Sequence, residues 1–81
     1  MHIENLVKMA NDIGAFFEAE PEHRAAVHAI ADHIKKFWEP RLRRAIIDHH
    51  REGGFGLAEL VREAVAELDA EHRSVAQCGD G

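Results

Sequence analysis

The sequence has one cysteine among its 81 residues, which excludes an internal disulfide. Cys78 precedes Gly79-Asp80-Gly81 and reads as a bystander in a reducing compartment, or else as the end of a bridge to another chain. No apolar run is long enough to cross a bilayer. Met1-His2-Ile3-Glu4-Asn5 has neither a basic leader nor an apolar signal core, so a cytoplasmic location is expected. A surplus of positive charge is lacking too. The formal net charge of −5 opposes what phosphate neutralisation requires and argues against a general nucleic-acid binder. Internal repeats and strand-like alternation are also missing. A single domain this small buries only roughly 60–65% of its unfolded surface. With no disulfide to help, its stability must come from close helix packing or from a partner.

What is present is helical periodicity. At about 100° per residue, Ile3, Leu6, Val7, Met9, Ala10, Ile13, Gly14, Phe16 and Phe17 share half of a wheel, which predicts an amphipathic helix over about residues 3–18. An arc that wide exceeds what one neighbouring helix covers. The first helix therefore lies between two others or keeps part of its face for a partner, with Phe16 a candidate contact. Gly14 costs the helix about 0.5–1 kcal/mol relative to alanine. A close backbone crossing is the simplest reason for it, and a ligand approaching there is the other.

Glu20-Pro21-Glu22 opens a second helix over about 22–38, with Val27, Ile30, Ala31, Ile34, Phe37 and Trp38 on one face and His28 and Asp32 pointing away together. The run His33 to Arg44 organises the rest. Glu39 is pushed out of the α region by the proline after it, and Pro40 suits the first position of a third helix over about 41–52. The corner carries Phe37, expected in the core, and Trp38, Pro40, Arg41, Arg43 and Arg44. For Trp38, Arg41 and Arg44 core packing and docking both stand, since tryptophan and arginine often carry interface energy. Ile47 reads as an exposed isoleucine among arginines, either ordinary or part of a docking surface.

Gly53-Gly54-Phe55-Gly56 predicts a turn, with Phe55 tucked back against the helices. Leu57, Leu60, Val61, Ala64, Val65 and Leu68 mark a fourth helix over about 57–72. Residues 73–81 are expected to be a flexible tail. The fold class is all-α, a small three- to four-helix bundle with short connections and antiparallel neighbours, forming a single domain over 1–72.

The search for chemistry is short. Seven histidines invite a metal, but neither His-Glu-x-x-His nor paired Cys-x-x-Cys is present. His49 and His50 with a glutamate are the least poor candidates, and no metal site is expected. No nucleophile has a base beside it, and the glycine turn lacks the lysine of a phosphate loop. No catalytic or cofactor-binding residue is assigned, which leaves recognition.

Two strings then carry a resemblance: Leu6-Val7-Lys8-Met9-Ala10-Asn11-Asp12-Ile13-Gly14-Ala15-Phe16-Phe17, and Ile30-Ala31-Asp32-His33-Ile34-Lys35-Lys36-Phe37-Trp38-Glu39-Pro40-Arg41-Leu42-Arg43. With the glycine-rich turn before Leu57, the chain closely resembles, over about residues 3–68, the delta subunit of cytoplasmic NAD-dependent molybdenum formate dehydrogenases. The resemblance implies a non-catalytic accessory subunit without a cofactor of its own. Molybdopterin, iron–sulfur clusters, flavin and NAD would be held by the partner subunits. Its partner would be the alpha subunit, which it would help to assemble, stabilise or load with cofactor. Two other readings remain: a homodimeric helical interaction module, and a small nucleic-acid-binding regulator using Lys35, Lys36, Arg41, Arg43 and Arg44.

Overall fold

The computed structural model describes residues 2–80, with side chains to His72. The expectations for a flexible 73–81 tail and for Cys78 fall outside the residues whose side chains are described. Four helices follow one another: α1 (Ile3–Phe17), α2 (His23–Phe37), α3 (Pro40–Arg51) and α4 (Glu59–Asp80). Among the described residues there is no strand. Nor is any helix long and apolar enough to cross a membrane.

The boundaries have local causes. α2 starts where the Glu22 carboxylate accepts the Ala25 amide proton at 2.9 Å, a side-chain N-cap. It stops because Trp38 and Glu39 are extended (φ, ψ of −90°, 139° and −61°, 149°), the conformation that Pro40 imposes on what precedes it. Pro40 then occupies the first turn of α3, where its missing N–H costs nothing. α3 ends in a glycine cap, the Gly53 and Gly54 amides returning to the His50 and His49 carbonyls at 3.1 and 2.9 Å.

Each helix buries one stripe in a common core of Leu6, Ala10, Val27, Ile30, Ile34, Trp38, Ile46, Ile47, Leu57, Val61, Val65 and Leu68. α2 and α4 share the most extensive contact. Three cross-links lie along it: His23–Glu63 at 2.8 Å, His28–Glu67 at 2.9 Å and Lys35–Glu71 at 3.0 Å. The numbers rise together on both helices, so α2 and α4 run side by side in the same direction. Antiparallel neighbours were the expectation, but α3 acts as the return stroke between these two. His28 thus reaches across to α4 rather than pairing with Asp32, which binds Lys36 instead at 3.1 Å.

α1 packs on all three other helices. Gly14 is buried where α1 crosses α4, and a Cβ there would overlap Val61 Cγ2. The close crossing expected of this glycine is what the structure contains.

Candidate docking surface

The site candidates fall into two groups once placed on this frame. Phe16, Pro40, Arg41 and Arg44 are exposed. Trp38 is 7% exposed and Ile47 3%, both within the core. The expectation of Ile47 as a surface residue among arginines is therefore corrected. α3 lies against both α1 and α4, so it buries a wider arc than one neighbour would require, and Ile47 falls inside it. Phe37 and Trp38, which the wheel puts on one apolar face, part here, and the expectation of Phe37 in the core is corrected. Residue 38 has left helical geometry and turns inward, while Phe37, the last residue of α2, is 73% exposed. Arg43 is half-buried and donates Nη1–H to the Lys35 carbonyl at 2.7 Å, satisfying an acceptor at the end of α2.

Phe16, at 76% exposure, is not alone. Its ring meets Phe17 edge-on at 5.0 Å, Phe17 meets His33 at 6.3 Å, and His33 meets Phe37 at 4.7 Å. A row of four rings therefore links α1 and α2, its middle members Phe17 and His33 half-buried and its two ends exposed. Met9, two turns before Phe16 on α1, is also exposed. Contiguous aromatic surface of this kind is uncommon on a chain that works alone and is enriched at interfaces. The sequence signal was the spacing of His33 and Phe37 at i,i+4 beside the Phe16-Phe17 pair, but the core reading of Phe37 concealed it.

The glycine turn is built differently from expectation. Phe55 is 89% exposed, and Leu57 packs inward in its place. The backbone is braced by side chains from three helices. Asn11 of α1 donates Nδ2–H to the Gly56 carbonyl and accepts the Ala58 amide proton on Oδ1, both at 2.9 Å. His49 of α3 donates Nε2–H to the Phe55 carbonyl at 2.8 Å, and Arg62 of α4 donates to the Gly53 carbonyl. Gly54 and Gly56 carry φ of +64° and +89°, values that side chains with a Cβ rarely adopt.

Electrostatically the described residues are mostly solvated pairs, with one firmer link. Arg51 donates Nη2–H and Nε–H to Asp69 Oδ1 at 2.6 and 3.1 Å, and the Asp69 side chain is nearly buried. The hydrogen bonds that Arg51 donates to Asp69, with the charges of Asp69 and Asp48, hold the guanidinium above its ordinary range against some desolvation. A raised cationic group contributes its stabilisation below its unfolded value and loses it only as pH climbs through the folded one. Arg51 therefore keeps its charge throughout the neutral range.

No group of three or more His, Cys, Asp or Glu converges among the described residues. His49 is occupied by the Phe55 carbonyl, and the His50 Nδ1 is buried with no hydrogen-bond partner among the described residues.

Comparison with known proteins returns no match among curated proteins and none among solved structures. A family model described as the NADH-dependent formate dehydrogenase delta subunit, FdsD, matches residues 5–65. That span takes in α1 with its Asn11 brace and Gly14 crossing, the aromatic row, the corner at Pro40, the glycine turn and the start of α4. The chain belongs to the NADH-dependent formate dehydrogenase delta subunit family.

Proposed function

We propose that this chain is a non-catalytic accessory subunit that docks on the molybdenum-containing alpha subunit of a cytoplasmic NAD-dependent formate dehydrogenase. Docked there, it helps the large subunit to assemble, hold together or take up its cofactor. The carrying observation is the aromatic row Phe16–Phe17–His33–Phe37, whose two end rings, Phe16 and Phe37, the chain's own fold leaves exposed. A body this small supports only a limited core, and covering two phenylalanines against a larger subunit removes apolar area from water on both sides. The molybdopterin, iron–sulfur, flavin and NAD groups belong in this reading to the partner subunits. In the same reading no step of the reaction runs through this chain, whose part is to bind.

The test is co-expression of the enzyme complex with and without this chain, followed by measurement of alpha-subunit recovery and molybdenum content per alpha subunit. Both should fall when the chain is omitted, and the Phe16→Ser/Phe37→Ser variant should reproduce the loss while melting like the parent. Unchanged recovery and molybdenum content without the chain would overturn the accessory role. So would a stable homodimer that ignores the alpha subunit.

A further inference from the structure

The charge of the molecule is segregated. Five of its ten lysines and arginines, but one of its fifteen aspartates and glutamates, lie between Lys35 and Arg44. Three of these five cations are engaged within the fold: Lys35 with Glu71, Lys36 with Asp32, and Arg43 with the Lys35 carbonyl. Arg41 and Arg44 are exposed and have no ion pair or hydrogen bond among the described residues.

Folding gives no reason for these two arginines. Arg41 stands in the first turn of α3, where the helix dipole favours anions, and that turn contains no acidic residue. Arg41 and Arg44 are spaced i,i+3, so like charges face each other along the helix. Two local preferences are thus set aside at one place, which is the pattern of a functional surface. The place also adjoins the end of the aromatic row along the chain. Phe37 ends that row and stands three residues before Pro40, and Glu39, Pro40 and Arg41 line a shallow hollow beside it.

We propose that the α2–α3 corner seats on a carboxylate-rimmed apolar hollow of the large subunit, with Phe37 entering the hollow and Arg41 and Arg44 pairing with aspartates or glutamates on its edge. This rests on the accessory-subunit reading and adds the chemistry of the surface that receives it. An acidic protein patch fits better than a nucleic acid. Outside the Lys35–Arg44 segment five lysines and arginines stand against fourteen aspartates and glutamates, and an extended polyanion would meet that acidic remainder. A carboxylate rim is local and engages only the corner.

The experiment uses the full chain and the enzyme complex purified without it, with affinity measured from about 50 to 200 mM salt. Arg41→Glu/Arg44→Glu should weaken binding roughly tenfold or more and flatten its salt dependence. Arg41→Gln/Arg44→Gln should show a smaller loss in the same direction. Both positions are exposed and locally unfavourable for arginine, so neither variant should melt below the parent. If the parent binds and the charge-reversed variant binds equally with the same salt slope, the corner inference is overturned while the accessory reading stands. If the parent does not bind at any salt, the accessory reading fails and takes this one with it. Tighter binding of the parent to a single-stranded or duplex oligonucleotide than to the complex would also overturn the inference, in favour of the nucleic-acid reading.

Discussion

Replacing Gly14 with alanine sets two magnitudes against each other at one atom. In an exposed helix the change would gain about 1 kcal/mol, because glycine is the poorer helix former by that amount. Here the new Cβ would fall well inside the ~3.5–4.0 Å at which carbon atoms rest against one another, and its neighbour is Val61 Cγ2 on α4. Val61 is 0% exposed and β-branched, so it is held to one rotamer in its helix and cannot swing aside. Overpacking of this kind costs about 1–3 kcal/mol. The difference is a net destabilisation of about 1 kcal/mol, which in a domain of this size lowers Tm by roughly 4–8 °C. The decisive measurement is a double-mutant cycle followed by circular dichroism. Val61→Ala alone costs stability by opening space. In that background Gly14→Ala should become stabilising, because the propensity gain remains and the overlap is gone. The coupling energy should therefore be favourable, within the roughly 0.5–3 kcal/mol seen for contacting residues. A Gly14→Ala protein that melts higher than the parent in the parent background would refute the close-crossing account.

Two further outcomes follow from the brace and the corner. Asn11→Ala removes the bonds to the Gly56 carbonyl and the Ala58 amide and should cost about 1–2 kcal/mol in chemical denaturation, with faster proteolysis at the 53–58 turn; a variant as stable as the parent would show the turn to be held by other means. Trp38→Ala should cost about 3–5 kcal/mol as a large core truncation, whereas Phe37→Ala should stay within about 0.5 kcal/mol; equal effects in denaturant titrations would contradict the division of the corner into an inward tryptophan and an outward phenylalanine.

The helices were legible because their apolar residues recur at one angular interval, and the break at Glu39-Pro40 because a proline restricts the residue before it. Legibility failed where the angular rule stopped applying or where partners lay far apart in sequence. Phe37, put on the buried face by the wheel, ends α2 exposed, while extended dihedrals at the next residue turn Trp38 inward. Ile47 is buried because a second helix covers the flank of α3, which depends on chain topology. Asn11 sits on the polar half of the α1 wheel, and its two bonds reach residues 45 and 47 positions away. Phe55 was expected to tuck in as the one large side chain of the turn. Its backbone is instead fixed by Asn11, His49 and Arg62, and the adjacent Leu57 supplies the apolar contact.

Three features of the chain contradict local preference, and how each is resolved separates folding from function. A glycine inside α1 is unfavourable on its own, yet Gly14 is accounted for within the molecule, since α4 passes where its side chain would be. The exposed rings of Phe16 and Phe37 are not accounted for in this way, because the core is already filled by Leu6, Ile30, Ile34, Trp38 and Ile46. Nor are the arginines at the start of α3, where the dipole and their mutual repulsion both act against them. A residue whose local cost is offset inside the chain is under structural constraint, and its replacement should be read in melting temperature. One whose cost has no internal offset is explained only by something outside the chain. Its replacement should not lower the melting temperature and should be read in binding. On the proposed reading, Gly14 and Asn11 position the docking surface, and Phe16, Phe37, Arg41 and Arg44 form it.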